Sequence, residues 1–426
     1  MSDNFSNSQI IKDPGDNYKT LGTRPVRHDG VDKVTGRAIY GNDVQLQGLI
    51  EGAILRSPVA HARIKSIDTS AAEAFPGVLA VATSADFPDP KDKVADLGEG
   101  PVNLAHLSAN CLARDKVFYK GQAIAAVAAR DVHIAEEALS LIKVEYELLP
   151  VLTRVLDAMK EGSPLLHEDL RTNEMGKKAD TPSNISDHLH FEQGDPDTAF
   201  ENAHLVVERE FKTQTVHQGY IEPHVATAHW NQDGHLTVWA STQGAFSARE
   251  QTAETLALPV SKVKVIPCEI GGGFGGKIPI YLEPVAAVLS RKSGRPVKIQ
   301  MTRDGVFEGT GPTPASFMRI KVGVDEAGKI LAAEAWLAYE TGAYPGGVIG
   351  PGCMCVFSCY DIENARVDGF DVCVNKPWTK AYRAPGSTHV AFAMESVVDE
   401  IAAKLEMDPI ELRLLNAAKE GTKRVD

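Results

Sequence analysis

The chain has 426 residues, 43% of them hydrophobic, and a formal net charge of −13. This length allows two to four domains with sizeable cores, and the acidic charge argues against binding to nucleic acid or to an acidic membrane surface. No segment approaches the roughly 18 consecutive apolar residues of a membrane helix, and the polar residues 1–18 lack the apolar core of a signal peptide. We therefore expect a cytoplasmic protein in which residues 1–20 form a flexible arm.

A first block, residues 21–152, has the pattern of a small mixed domain. Extended segments are predicted at 50–55 and 122–128, then a helix over 133–142 and a strand through 143–146. The apolar residues of this helix recur at helical spacing: Ala135, Ala138, Leu139 and Ile142. This pattern predicts an amphipathic helix laid on a sheet.

Residues 153–187 are predicted to be a linker, because the run 171–186 is polar and typical of a surface loop. A second block, residues 188–426, alternates strands with helices. Gly234, between apolar runs at 228–230 and 236–239, predicts a hairpin. Asp408 and Pro409 predict an N-cap and a first-turn proline of a last helix, which is expected to stop near Gly421. The fold class is therefore α+β, in two unequal parts.

Two groups of side chains suggest metal binding but are weak signals. Cys353, Cys355 and Cys359 have neither a zinc-ribbon nor a recognised iron–sulfur spacing, and their apolar neighbours favour buried small side chains. His217, His224 and His229 lie on or beside a strand-like segment, which disfavours a shared metal site. We assign no metal ligand to the chain.

The most informative stretch is Glu-Ile-Gly-Gly-Gly-Phe-Gly-Gly-Lys at residues 269–277. So bare a backbone lets a large polar ligand approach the peptide N–H groups, and a glycine turn that leads into a helix is a natural anion site. The run satisfies the dinucleotide fingerprint, but Pro279 lies where the cofactor helix should begin. It also satisfies the start of a P-loop, but Ile278 replaces the Ser or Thr that would hold magnesium. A glycine loop packed on neighbouring backbone is the third alternative.

Four further motifs accompany this loop. They are Ser-Pro-Val-Ala-His-Ala at 57–62, Ser-Thr-Gln at 241–243, Ala-Tyr-Arg-Ala-Pro-Gly at 381–386 and the Asp-Pro helix start at 408–409. Together with the glycine loop, and in this order, they resemble the molybdenum hydroxylases of the xanthine dehydrogenase family. The resemblance spans nearly the whole chain from residue 21. It implies an α/β hammerhead domain at 21–152 and the first molybdopterin-binding domain at 188–426.

The resemblance also implies a cofactor and the residues that bind it. The family's cofactor is molybdopterin with molybdenum, here expected as the cytosine dinucleotide, whose dithiolene holds the metal. Gln243 would hydrogen-bond the apical oxo group, since an oxo ligand only accepts hydrogen bonds. Arg383 and the peptide of Ala384 would line the opposite wall. The glycine loop would contribute its backbone, with N–H groups of Phe274 and Gly275 toward the oxo ligands and the pterin, within the stretch Gly272, Gly273, Phe274 and Gly275.

Departures from the family pattern bear on the substrate. Carbon monoxide dehydrogenases carry a copper-binding cysteine where this chain has Ala384. Purine-oxidising members carry a glutamate and an aromatic residue where Ile278 and Pro385 stand, so we expect these two residues in the substrate pocket and disfavour xanthine. An N-heteroaromatic acid, another heterocycle or an aldehyde is expected as substrate.

The chain is about half as long as the molybdenum portion of single-chain family members, and no motif here matches the usual catalytic glutamate. The resemblance therefore implies a split subunit, as in nicotinate dehydrogenase-like enzymes, with the base glutamate in a second molybdopterin-binding subunit. A small [2Fe–2S] subunit and a FAD subunit are expected as further partners. A non-catalytic subunit that scaffolds or delivers molybdopterin is the alternative, and a NAD-dependent dehydrogenase is a distant third.

Overall fold

The computed structural model describes residues 23–90, 92–97 and 101–426. The chain divides into two compact units, residues 1–39 and 40–426. The predicted arm at 1–20 lies outside the described residues. In the first unit, helix α1 (Gly30–Thr35) ends at Gly36, whose left-handed φ of 74° lets its N–H donate to Asp32 O.

In the described part, the second unit contains nineteen strands and eleven further α-helices. The strands are β1 (Ile50–Arg56), β2 (Ala62–Asp68), β3 (Val78–Thr83), β4 (Val94–Asp96), β5 (Pro101–Asn103), β6 (Lys116–Val117), β7 (Ala123–Ala129), β8 (Lys143–Leu148), β9 (Arg171–Glu174), β10 (Lys177–Pro182), β11 (Ile185–Gln193), β12 (Leu205–Thr213), β13 (Val225–Trp230), β14 (Leu236–Ala240), β15 (Val263–Pro267), β16 (Val297–Gln300), β17 (Ser316–Val324), β18 (Ile330–Gly342) and β19 (Asn364–Cys373).

The helices are α2 (Ser70–Glu73), α3 (Leu104–Cys111), α4 (Val132–Leu139), α5 (Val155–Ala158), α6 (Pro196–Glu201), α7 (Ala245–Thr255), α8 (Glu283–Ser293), α9 (Arg303–Gly309), α10 (Ile349–Cys355), α11 (Ser387–Lys404) and α12 (Pro409–Asn416). None of the helices in the described ranges combines the length and the apolar character that a membrane span requires.

A first seven-stranded sheet has the order β15-β14-β13-β16-β1-β7-β3. Strands of both predicted blocks share it, because β1 pairs in parallel with β16, with Ile50 opposite Val297. The α+β class and the two unequal parts stand as predicted, but the sequence did not indicate that strands of both parts share one sheet. Two smaller sheets, β6-β2-β8 and β4-β5, belong to the first block.

Helices cover both faces of this sheet at β7. All seven residues of β7 are buried, and successive side chains of a strand point to opposite faces. Ala126 and Ala128 pack in the core that contains α8, whereas Ala125 and Val127 pack with Ala135 and its neighbours on α4. The predicted amphipathic helix on a sheet is confirmed as α4, and the continuous apolar run of β7 follows from burial on both faces.

A second seven-stranded sheet has the order β10-β9-β11-β19-β18-β17-β12 and carries α10 and α11 on one face. Residues 153–187, predicted to be a linker, instead contain α5, β9 and β10. β9 pairs in parallel with β11 and antiparallel with β10. The polar composition misled because β10 is the edge strand and β9 its neighbour, and both present mostly polar side chains to solvent.

Most other predicted elements are confirmed with shifts of one to three residues at their ends. The predicted hairpin is β13–β14, with Trp230 opposite Leu236. Asp408 caps α12 by accepting from the N–H groups of Ile410 and Glu411 at 2.8 and 3.2 Å. That helix ends at Asn416 and does not reach Gly421.

A buried asparagine joins the first block to the second. Asn375, which is 4% exposed, accepts from Leu152 N at 2.8 Å and donates through Nδ2 to Phe118 O at 2.9 Å. Both partners are backbone groups of the N-terminal part of the chain, so one side chain satisfies polar atoms that would otherwise be buried without partners.

We expect Asn375→Ala to lower the free energy of unfolding by about 1–3 kcal/mol, because it leaves a buried donor and a buried acceptor unsatisfied. Urea denaturation measures the change. Asn202→Ala is the matched control: this exposed asparagine makes one hydrogen bond, to Thr198 O within its own helix turn, and its loss is expected to cost no more than about 0.5 kcal/mol. Equal effects of the two substitutions would contradict the role given to Asn375.

Candidate cofactor site

The first sheet brings two of the predicted motifs to one edge. β14 and β15 are parallel neighbours, with Ala240 opposite Pro267 at their carboxyl ends. Gln243 follows β14, and the glycine loop, residues 269–277, follows β15. Because carboxyl ends of parallel strands meet at the same edge of a sheet, the two segments lie side by side.

The side chain of Gln243 is fixed by the glycine loop. Its Oε1 accepts from Gly275 N at 2.8 Å and from Lys277 N at 3.2 Å. Two donors on the oxygen fix the orientation of the amide, so Nε2 points away from the loop. Within the described residues, Nε2 has no acceptor, and the residue is exposed. Gln243 therefore presents a preoriented donor at the surface of the site.

The loop itself has a left-handed backbone at three positions. Gly272, Phe274 and Gly275 have φ values of 95°, 54° and 104°, a region that L side chains rarely adopt. In the part of the chain that the structure describes, the N–H groups of Gly272, Gly273 and Phe274 have no acceptor. The N–H of Gly275, expected to face a ligand, instead donates to Gln243. Of the two N–H groups expected to face a ligand, only that of Phe274 has no acceptor in the described residues.

The motif at 381–386 lies against this loop. Arg383 N donates to Phe274 O at 3.0 Å, and a Cβ on Gly275 would come within 2.6 Å of Ala381 O. Arg383 and Ala384 have φ values of 32° and 71°, so two consecutive non-glycine residues are strained. Both are exposed. The structure thus brings Gln243, the glycine loop, Arg383 and Ala384 together, as the resemblance implied.

Beneath the loop is an ion pair that sequence reasoning missed. Glu222 Oε2 accepts from Gly271 N at 2.7 Å and from Lys277 Nζ at 2.8 Å. The side chain of Lys277 is fully buried and that of Glu222 is 12% exposed. Burial lowers the pKa of the Lys277 ammonium, and the carboxylate of Glu222 opposes this shift. In the sequence, only the Glu-Pro pair at 222–223 distinguishes Glu222, and no pattern links it to Lys277.

Three residues pack below this pair. Tyr220 lies under the ammonium of Lys277, 4.9 Å from ring centroid to Nζ. Its hydroxyl hydrogen-bonds to His224 Nε2 at 2.7 Å, and burial raises the pKa of Tyr220 to about 12 and lowers that of His224 well below its usual value. His217 bonds instead to Thr310 Oγ1 at 2.8 Å. His217 and His224 therefore bond to two different hydroxyl groups, which themselves lie 3.3 Å apart and connect the two rings.

No group of three or more His, Cys, Asp or Glu side chains in the described ranges is arranged to hold a metal ion. Cys353 is buried, as expected of a small core side chain, but Cys355 is half-buried and Cys359 is exposed. The burial expected for this cysteine cluster is therefore confirmed only for its first member. Cys353 and Cys355 lie on α10, where residues two positions apart face different directions, and Cys359 lies beyond the end of that helix.

A cavity of about 370 Å³ opens beside the two loops. Ile278 and Pro385, the predicted pocket residues, both line it, together with Ala381, Trp378 and Val348. Lys380 contributes the charge of the lining, with its ammonium over the ring of Trp378. The volume and the apolar walls are those of a small-molecule pocket.

The alternative interpretations of the glycine run fail on this geometry. A dinucleotide fold needs β15 and β16 as parallel neighbours joined by a helix that starts at the last glycine. Here β16 lies between β13 and β1, and α8 starts only at Glu283. A P-loop lysine must reach phosphates, whereas Lys277 is buried against Glu222. The packed-loop alternative holds in part, because Gly271, Gly275 and Gly276 each approach neighbouring atoms closely.

Comparison with protein families identifies the class. Residues 177–417 match the molybdopterin cofactor-binding domain, and residues 35–150 match the α/β hammerhead domain of aldehyde oxidase and xanthine dehydrogenase. The chain thus contains a molybdopterin cofactor-binding domain together with a hammerhead domain. The limits predicted for the two domains, at 152 and 188, remain predictions.

Similar proteins agree with this class. The chain is 33% identical over 412 residues to the nicotinate dehydrogenase large molybdopterin subunit of Eubacterium barkeri, covering 96% of this chain and 92% of that one. It is 31% identical over 414 residues to the xanthine dehydrogenase molybdenum-binding subunit of Escherichia coli O157:H7, covering 93% of this chain and 52% of that one. The chain belongs to the molybdenum hydroxylase family of xanthine dehydrogenase, whose members are molybdopterin-dependent oxidoreductases.

Solved structures show the same fold. Quinoline 2-oxidoreductase from Pseudomonas putida 86 superposes with a TM-score of 0.84 at 29% identity, over 93% of this chain and 50% of that one. The aldehyde oxidoreductase of Desulfovibrio gigas gives the same TM-score at 28% identity, over 95% and 44%. The chain thus spans about half the length of most of these relatives, but nearly all of the nicotinate dehydrogenase subunit.

The residues present fit a molybdopterin. The cofactor offers oxygen and phosphate acceptors, and the site presents donors without acceptors in the described part: Gln243 Nε2, three consecutive loop N–H groups and the exposed guanidinium of Arg383. A Cβ on Gly273 would come within 2.4 Å of Gln243 Oε1, so the loop and Gln243 keep this arrangement only with glycine at 273.

We expect Gly275→Ala to destabilise the chain more than Gly176→Ala, by at least about 1 kcal/mol. Gly176 is the matched control because its φ of 96° is close to that of Gly275, but no atom lies within 4 Å of the position that its methyl group would take. The control thus carries the backbone strain alone, whereas the methyl group at 275 also overlaps Ala381 O. Urea denaturation of both variants measures the difference. Equal midpoints would mean that the two loops do not depend on this close approach.

Proposed function

We propose that this chain is one half of the molybdopterin-binding part of a molybdenum hydroxylase. The complex would oxidatively hydroxylate an N-heteroaromatic or aldehyde substrate with oxygen from water. In the balanced reaction, R–H and water give R–OH, two electrons and two protons. A second molybdopterin-binding subunit would complete the active site and supply the base glutamate.

The observation that carries this proposal is the juxtaposition of Gln243 with two strained loops. Gln243 Nε2 and the N–H groups of residues 272–274 have no acceptors in the described part, Arg383 N donates to Phe274 O, and an apolar cavity adjoins both loops. Such strain persists only where the surrounding structure holds it, and it is typical of functional sites. The donors are preorganised for a ligand rich in acceptors, and the adjacent cavity has the size for a small substrate.

Within this proposal, each residue has a role that its geometry allows. The cofactor, when bound, supplies the two-electron redox chemistry. Gln243 would orient it by donating through Nε2, and the N–H groups of residues 272–274 would bind it from the same side. Arg383 and Ala384 would form the opposite wall. The cofactor is proposed to be the cytosine dinucleotide form of molybdopterin.

The cavity lining supports the substrate class. Ile278 and Pro385 offer no carboxylate to read ring nitrogens and no aromatic face, which disfavours a purine. The apolar walls suit a flat ring or an aldehyde. Ala384 has no thiol to bind copper, which disfavours carbon monoxide as substrate.

The partner assignment rests on relative lengths. The relative called the large molybdopterin subunit of nicotinate dehydrogenase is of similar length to this chain, whereas the xanthine dehydrogenase subunit is about twice as long. We propose a separate second half by analogy with the first of these relatives, of which this chain covers 92%. Electrons would leave through a small [2Fe–2S] subunit and a FAD subunit, since no cysteine spacing of the ferredoxin type occurs in the sequence.

A non-catalytic scaffold or delivery subunit is the second candidate, because the chain alone offers no assigned catalytic base. Glu283, for example, is buried and accepts from the N–H groups of Tyr281 and Leu282. The two candidates differ in turnover. A complex with its partner that contains molybdenum and oxidises nicotinate or benzaldehyde with a dye acceptor supports the hydroxylase, and a molybdenum-containing complex that oxidises neither supports the scaffold.

We expect Gln243→Glu to slow turnover on the order of 10²-fold with unchanged molybdenum content. The glutamate oxygen can still accept from Gly275 N and Lys277 N, so the change keeps the contacts to the loop but replaces the donor with a negatively charged acceptor. Dye-linked turnover normalised to molybdenum measures it.

Gln214→Glu is the control, because Gln214 is an exposed glutamine that likewise follows a strand end, that of β12. It is expected to leave turnover unchanged. Wild-type turnover by a molybdenum-replete Gln243→Glu complex would remove Gln243 from the proposed site.

A further inference from the structure

One carboxylate binds both ends of the glycine loop. Glu222 accepts from the first loop glycine, at Gly271 N, and from the side chain of the last loop residue, Lys277. Its own backbone N–H donates to Gly271 O at 3.2 Å. The loop is therefore closed from below by a single residue on a different segment of the chain.

The ends of the loop are also shaped for this residue. A Cβ on Gly271 would come within 2.5 Å of the Cβ of Glu222. A glycine at 271 is thus what lets Glu222 lie close enough to reach both the peptide N–H and the ammonium. The requirement for glycine here comes from the residue below the loop, not from a ligand above it.

Lys277 faces the interior. Its side chain is fully buried, with Nζ between the carboxylate of Glu222 and the ring of Tyr220. Its ammonium is thus held by Glu222 inside the protein. It is not one of the donors without acceptors in the described part, such as the N–H groups of residues 272–274. A lysine that ends a glycine-rich run is ordinarily taken for a phosphate ligand, and this geometry assigns it another role.

We propose that Glu222 is the positioning residue that sets the shape of the cofactor loop, and that Lys277 is its buried counter-ion and not a ligand of the cofactor. The cofactor part of this inference rests on the proposed function. Replacing a buried ion pair with apolar side chains is often neutral or stabilising. A gain in stability is therefore a weak reason for a charged pair at these positions. A carboxylate at 222 that accepts from both Gly271 N–H and the ammonium of Lys277 explains why both residues are charged.

The test uses a double variant, Glu222→Met with Lys277→Met, so that no unpaired charge is left in the interior. The matched control is Glu340→Met with Lys376→Met. That pair is also buried on the acid side, with Nζ 2.7 Å from Oε2, but it lies at the end of the second sheet. Three quantities are measured for each double variant and for the wild type: the urea midpoint, hydrogen exchange of the peptide that contains 269–278, and molybdenum content of the complex with the second subunit.

For Glu222→Met with Lys277→Met we expect a midpoint near that of the wild type, exchange in 269–278 at least about tenfold faster, and loss of most of the molybdenum. For the control pair we expect unchanged exchange in 269–278 and unchanged molybdenum. Wild-type exchange in the loop of the first variant overturns the inference. Faster exchange with full molybdenum content also overturns it, because the loop would then not need Glu222 to hold the cofactor.

The failure of the proposed function gives a different result. If the wild-type complex itself never retains molybdenum, the proposed function falls, and loop exchange in the two variants alone decides whether Glu222 shapes the loop. As a single substitution, Lys277→Met separates the two roles further. It keeps the hydrogen bond from Gly271 N to Glu222, so hydrogen exchange at the start of the loop is expected to stay slow. If Lys277 were instead a phosphate ligand, this variant would lose the cofactor.

Discussion

A loop can offer its peptide N–H groups to a ligand only if something other than its own side chains holds it open. Fixing the backbone of one residue costs about 1–2 kcal/mol of conformational entropy, and glycine loses more than any other residue. Here two side-chain acceptors, the carboxylate of Glu222 and the amide oxygen of Gln243, fix the N–H groups at 271, 275 and 277. The N–H groups between them, at 272–274, have no acceptors in the part of the chain that the structure describes.

The same two residues connect the loop to rigid structure. Gln243 follows β14, whose hydrogen bonds to β13 and β15 fix its end. Arg383 N adds a third connection through Phe274 O. Three non-glycine residues near the site, Phe274, Arg383 and Ala384, have left-handed backbones, each at a cost of order 1–3 kcal/mol. Sheet ends and buried polar contacts hold this strain at one place.

The sequence was informative where chemistry is local. The glycine run, the glutamine of the 241–243 motif and the residues of the 381–386 motif were each identifiable from residue type, and strands such as β1 and β7 from their apolar patterns. The pairing of Glu222 with Lys277 was not, because it joins residues 55 positions apart with no periodicity between them. The same holds for the role of Gly275, since which N–H groups of a loop face inward depends on the backbone angles.

Errors about larger structure had a related cause. The segment of β9 and β10 is predicted as a linker because polar strands at the margin of a sheet and polar loops have similar compositions. The shared first sheet was missed because single-sequence patterns give strands but not their partners. Ile50 and Val297 are paired although more than half of the chain separates them, and the sequence of neither strand indicates its partner.

That pairing also has a consequence for biosynthesis. β1 can pair with β16 only after residues about 250 positions further along the chain have left the ribosome. At a synthesis rate of about 5–20 residues per second, this takes on the order of 10–50 s. During that interval the nascent N-terminal part presents an open sheet edge to other polypeptides. A long-lived unpaired edge of this kind is a natural client for chaperones during translation.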